Sequence, residues 1–268
     1  MFVTRLVSGI VLVAAALVTI ISGGAVLWTT LLVLSLIGVF ELYRAMGIWK
    51  KEDPLLSLVG FAGVVFYYLL LIPGEEAYTM PGLILTLIAL MTLYVYRYPR
   101  YQAGQIAEAF FGVVYVAVML SCIYELRIME HGAYLVWLIF ISSWGCDTCA
   151  YCVGMLIGKH KMSPKLSPKK SVEGAVGGVI GAAVLGAVYA AAAGPYLSDE
   201  GQIVVYGGIC AVGAVISMIG DLAASAIKRN HNLKDYGKLI PGHGGVLDRF
   251  DSVIFTAPVI YLLVLIWG

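Results

Sequence analysis

Charge is scarce in this chain. Asp, Glu, Lys and Arg make up 12% of its 268 residues, about half the roughly 25% usual in a soluble domain. Hydrophobic residues account for 61%, far more than a soluble core of this length needs, so the chain reads as an integral membrane protein without a sizeable soluble domain. No low-complexity linker and no internal repeat divides it. No ten-residue alternation of the kind that builds membrane barrels is present. Helices, which satisfy their own backbone in lipid, are therefore the expected spanning elements. The first apolar run lacks a small-residue cleavage site and a second follows almost at once, so the pair is expected to be a retained hairpin rather than a signal peptide. The formal net charge of +1 identifies no partner by itself, and no nucleic acid is expected.

A disulfide framework is also missing. Cys122, Cys146, Cys149, Cys152 and Cys210 all fall in apolar runs, where cross-links are not expected. The Cys146-x-x-Cys149-x-x-Cys152 spacing invites a metal reading, but neither a fourth ligand nor a suitable loop accompanies it. Cysteine as a small apolar residue on a packed helix is the better account.

What is present is a series of apolar runs, each of roughly the 20 residues that cross about 30 Å of hydrocarbon. About nine are expected, over 6–21, 25–42, 55–72, 82–96, 106–123, 134–157, 175–193, 203–227 and 250–267. Their connections alternate in sign. Arg5, then Arg44, Lys50 and Lys51, then Arg97 and Arg100, then the lysines of 159–170, then Lys228, Arg229, Lys234, Lys238 and Arg249 alternate with Glu75 and Glu76, Glu125 and Glu130, and Asp199 and Glu200. Only Arg127 breaks the order. The positive-inside rule then puts the N-terminus and every basic connection in the cytoplasm, and an odd number of spans leaves the C-terminus outside. The expected architecture is all-α and polytopic. Residues 1–105 serve as scaffold, with lipid access or dimer contacts, and residues 106–268 carry the chemistry. Small residues at helical spacing in 174–181 suit close helix packing, within the chain or in a homodimer.

The scarce charges concentrate in 225–251, where Lys228, Arg229, Lys234, Lys238 and Arg249 flank a breaker-rich Pro241-Gly-His-Gly-Gly245 turn. Asp221 and Ser225 share a helical face, and Lys228 follows on nearly the same face about 10 Å along the axis. A carboxylate at that depth should be protonated, paired or bound to a cation. Asp248 and Asp251, three residues apart at the start of the last run, serve either as helix-capping carboxylates or, with Asp221, as oxygen ligands for Mg²⁺. Gly244 and Gly245 allow backbone to approach an anion closely. His243 is open to three roles: phosphate binding, proton donation, or a hydrogen bond within the turn. A second polar cluster runs from Asp147 through Gly158-Lys159 to Lys169, Lys170, Ser171 and Glu173. Asp147 falls about 16 Å along its helix from Gly158, near mid-membrane. There it is either a structural carboxylate or a working one. Ser171-Val-Glu173 has the form of a helix start.

The pattern Ser225, Lys228-Arg229, Lys234-Asp235, Gly237, Pro241–Gly245, Asp248-Arg249 and Asp251 resembles the signature of phosphatidate cytidylyltransferases, also called CDP-diacylglycerol synthases. The upstream pattern of that family, Asp-x-x-Ala-Tyr-x-x-Gly with Gly-Lys and Ser-Pro-Lys-Lys-Ser-x-Glu-Gly, is matched from Asp147 to Gly174. A short Glu41-Leu-Tyr43 element is a weaker likeness. The resemblance implies that CTP and phosphatidic acid give CDP-diacylglycerol and pyrophosphate in phospholipid biosynthesis. It implies metal held by Asp221, Asp248 and Asp251, as a two-metal site with Mg²⁺ and a second ion that is divalent or monovalent. It makes Lys228, Arg229, Lys234 and Arg249 phosphate contacts, and Asp147, Lys169, Lys170 and Ser171 nucleotide-side or structural partners. It further implies a bacterial inner membrane location with the site facing the cytoplasm. The competing readings are a CTP-dependent polyprenol- or phytol-type lipid kinase, which would release CDP, and a cation-coupled transporter working through Asp147 and Asp221.

Overall fold

The computed structural model describes residues 2–72, 76–197, 203–242 and 244–267. Nine helical segments carry this part of the chain: α1 Phe2–Ser22, α2 Gly24–Ala45, α3 Leu55–Leu70, α4 Thr79–Tyr96, α5 Ala103–Ile128, α6 Gly132–Ile157, α7 Val172–Ala193, α8 Ile203–Asn230 and α9 Leu247–Trp267. Every expected apolar run falls on one of them. Seven are long and apolar enough to cross a bilayer. The apolar part of α1, Gly9–Ser22, and α3 are shorter. Val113–Val118 in α5 and Ile141–Gly145 in α6 are π-helical turns. The chain is thus an all-α polytopic membrane protein. His243, Glu75, Asp199 and Glu200, which entered the expectations above, lie outside the described residues.

One local exception to the helical pattern is a two-stranded antiparallel hairpin between α6 and α7, β1 Lys161–Ser163 and β2 Ser167–Ser171. Pro164 and Pro168 bar a continuous helix here. The hairpin is fastened at its base by Glu173, whose carboxylate accepts from the backbone N–H groups of Lys159 and His160 at 3.1–3.2 Å and pairs with the His160 ring at 2.5 Å. Ser171 then caps α7, its hydroxyl accepting from the Gly174 N–H at 3.1 Å.

The chain divides into two compact units. Met1–Ser121 with Leu233–Arg249 form one, and Cys122–Asn232 with Phe250–Gly268 form the other. In the first unit, Tyr43 on α2 is fully buried and donates to the Ala109 carbonyl at 2.6 Å. Its ring fits because Gly60 on α3 and Gly112 on α5 have no side chain to obstruct it. Trp28 donates to the Tyr68 carbonyl at 3.0 Å, and the Ser35 and Tyr68 hydroxyls meet at 2.8 Å, so α2 and α3 are joined by polar contacts as well as packing. Gly47, two residues past the end of α2, takes a φ of 75°, which suits glycine. The Ile48 N–H beyond it returns to the Tyr43 carbonyl at 2.8 Å.

In the second unit, α7 packs closely against α6 and α8. A side chain at Gly178 would collide with Cys146, one at Gly181 with Cys149, and one at Gly186 with Cys210. The cysteines are therefore the knobs that fill glycine-lined hollows, as helices without a hydrophobic driving force between them require. They are free thiols.

Candidate active site

The second unit contains a cleft of about 330 Å³ where α6, β2 and α7 meet. Asp147, Tyr151, Lys169, Lys170 and Ser171 line it, with Met162 and Met218 on its apolar side. The hairpin explains how a basic connection reaches this place: β2 carries Lys169 and Lys170 back against the helix that holds Asp147. Asp147 is exposed. The sequence left it either structural or working, and the folded hairpin places it at the cleft with Lys169, Lys170 and Ser171.

Lys170 connects the cleft to α8. Its ammonium forms an ion pair with the Asp221 carboxylate, without the alignment of a hydrogen bond. Both side chains are about a quarter exposed. One turn on, the Ser225 hydroxyl makes a long 3.5 Å contact to Asp221. Lys228, three residues further, is buried despite its charge. On α9, Asp251 lies within electrostatic range of Asp221, Lys228 and Asp147. The two helices approach closely there, because a side chain at Gly220 would meet the Asp251 carbonyl oxygen and Phe255. Asp251 also accepts from the Ser252 N–H at 2.8 Å. Several acidic groups and two lysines thus share one polar region inside apolar helices, which is costly unless they answer one another or a ligand.

Among the described residues, no three His, Cys, Asp or Glu side chains are gathered closely enough to ligate one ion. The donor chemistry nonetheless suits a hard cation at Asp221 and Asp251. Mg²⁺ characteristically takes one or two carboxylates and completes its shell with phosphate oxygens and water.

The first unit holds the other half of the charged segment. Asp248 is 9% exposed. Its Oδ2 accepts from the backbone N–H groups of Tyr236 at 2.8 Å and Gly245 at 2.9 Å. Gly244 takes a φ of 89° and its carbonyl accepts from the Ile240 N–H at 2.9 Å, closing the turn. The Gly245 N–H is thus engaged within the loop. Lys234 and Arg249 are exposed, as is Arg229 in the second unit.

Glu41 on α2 had entered the sequence reading only as part of a weak element. It is 4% exposed and accepts from the Val246 N–H at 3.2 Å and the Leu247 N–H at 2.9 Å. One turn later Arg44 donates to the Tyr236 carbonyl at 2.5 Å. The available signal was a carboxylate near the end of an apolar run, which requires a partner. The partner lies 205 residues away in sequence, beyond the reach of local spacing.

Helices of this number and hydropathy, with a lysine-lined cleft backed by carboxylates, define a polytopic membrane protein with a charged cleft among its helices. The pattern of the Cytidylyltransferase family matches residues 3–267, and the chain belongs to that family. It is 28% identical to the phosphatidate cytidylyltransferase of Bacillus subtilis (strain 168) over 275 residues, which cover 98% of both chains. It is 28% identical to the phosphatidate cytidylyltransferase of Staphylococcus aureus (strain COL) over 97% of this chain and 98% of that one. With the protein of the same name from Staphylococcus epidermidis (strain ATCC 12228 / FDA PCI 1200) the identity is 29% over the same shares.

Proposed function

We propose that the protein is a CTP:phosphatidate cytidylyltransferase, converting CTP and phosphatidic acid to CDP-diacylglycerol and pyrophosphate at the cytoplasmic face of a bacterial inner membrane. The observation that carries this reading is the cleft in which Lys169, Lys170, Ser171 and Asp147 meet, with Lys170 paired to Asp221, in a chain of the Cytidylyltransferase family. The distribution of basic connections supports the cytoplasmic orientation.

A phosphate oxygen of the lipid attacks the α-phosphorus of CTP. The new P–O bond forms as the bond to the β-phosphate breaks, and pyrophosphate leaves. The attacking oxygen is already anionic near neutral pH, so no dedicated base is required. The main barrier is repulsion between two polyanions. Lys169 and Lys170 bring point charge to the nucleotide phosphates, and the Ser171 hydroxyl offers a hydrogen bond at the same wall. Lys228 and Arg229 serve the phosphates from the end of α8, and Lys234 and Arg249 from the charged segment. Asp221 and Asp251 would hold a divalent cation, and the sequence pattern makes Asp248 a further carboxylate for the reaction. When bound, such an ion supplies charge neutralisation and Lewis acidity at phosphate oxygens. The lipid reaches the reaction sideways, its acyl chains remaining in the bilayer.

The test is incubation of purified protein with labelled CTP and phosphatidic acid, with and without Mg²⁺, and identification of both products. CDP-diacylglycerol and pyrophosphate in a Mg²⁺-dependent reaction are expected. CDP with a phosphorylated alcohol would instead establish a lipid kinase.

A further inference from the structure

Glu41 is a buried carboxylate on a helix that the proposed chemistry does not use. Its two oxygens divide the first free N–H groups at the start of α9, Oε1 taking Val246 and Oε2 taking Leu247. A helix N-terminus leaves such donors unsatisfied, but a local Ser, Thr or Asp normally caps them. Here the cap comes from α2. The surroundings are shaped around it: a Cβ at Gly245 would collide with both carboxylate oxygens, and one at Gly237 with Oε1. Asp248 holds the same loop from within through Tyr236 and Gly245, and Arg44 holds the Tyr236 carbonyl. Residues 236, 245, 246 and 247 are thus each fixed by a charged side chain, two of which belong to the last turns of α2. A shift of Val246 and Leu247 moves the backbone that carries Asp248.

We propose that Glu41 is a positioning residue for the cytidylyl transfer: it clamps residues 236–247 to α2 and so sets the aim of Asp248, without touching substrate. This rests on the reaction proposed above.

Glu41→Gln keeps the shape but points an amide N–H at one of the two backbone donors. It is expected to lower kcat by about tenfold or more, with KM for CTP within about twofold of wild type. Limited trypsin cleavage after Lys238 should accelerate in the same variant. Gly245→Ala, which retains Glu41 but displaces its carboxylate, should lower kcat similarly. In the double variant Glu41→Ala/Gly245→Ala the collision is gone, so it should be no slower than Glu41→Ala alone. Glu52→Gln, at an exposed glutamate, should match wild type in both assays. Wild-type kcat in Glu41→Gln, a loss expressed only in KM, or losses that multiply in the double variant would overturn the proposal. If wild-type protein forms no CDP-diacylglycerol, the proposed reaction falls and the trypsin assay alone decides: unchanged cleavage in Glu41→Gln then overturns the clamp.

Discussion

The carboxylates at Glu41 and Asp248 and those at Asp221 and Asp251 have similar sequence settings, each being an acidic residue in or at the end of an apolar helix. Their partners differ. Glu41 and Asp248 each accept two backbone N–H groups, which fix a loop. Asp221 faces a lysine, and Asp251 lies near Asp221, Lys228 and Asp147. Glu41, with both oxygens on backbone donors of one loop, holds structure, Asp248 holds the same loop through Oδ2 alone, and Asp221, paired to a lysine beside a cleft, can exchange that partner for a substrate or an ion.

The largest effect that would break this contrast is expected at Asp251. Asp251→Asn should reduce kcat by about a hundred- to thousandfold with trypsin cleavage after Lys238 unchanged. Asp248→Asn should reduce kcat and accelerate that cleavage, since it removes a loop anchor as well. If both variants gave the same proteolysis pattern, the distinction between the two pairs would be lost. Lys170→Met should raise KM for CTP by about ten- to a hundredfold, the range for a charge-assisted contact, measured by initial rates at saturating lipid. Gly178→Leu should lower the thermal midpoint in detergent through about 1–3 kcal/mol of overpacking against Cys146. The smallest effect belongs to Cys152→Ala. This exposed thiol should change neither activity nor stability beyond about 0.5 kcal/mol.

Much of this was legible in the sequence. Apolar length and the absence of barrel alternation gave the nine helical segments, because lipid leaves the backbone few alternatives. The 225–251 segment was visible because charge is scarce elsewhere, and Ser171 as the start of α7 followed from cap chemistry. The hairpin at 161–171 was not, since its strands are too short for a periodic signal and lysine-rich connections read as loop. With the hairpin unseen, the polar cluster from Asp147 to Glu173 was visible in the sequence, but the way β2 returns Lys169 and Lys170 to the helix of Asp147 was not. Glu41 was obscured for a different reason: its role depends on backbone donors more than 200 positions away, and no local rule connects the two. The cysteine triplet shows the reverse case. Its spacing looks metal-like, but Cys146 and Cys149 fill hollows at glycines and Cys152 is exposed.

The most direct measurement is the fate of isotope in CTP. Purified protein supplied with phosphatidic acid and CTP labelled at the α-phosphate should place that label in the lipid, whereas label at the γ-phosphate should leave as pyrophosphate. Lipid labelled from the γ-position, or from neither, would contradict the account.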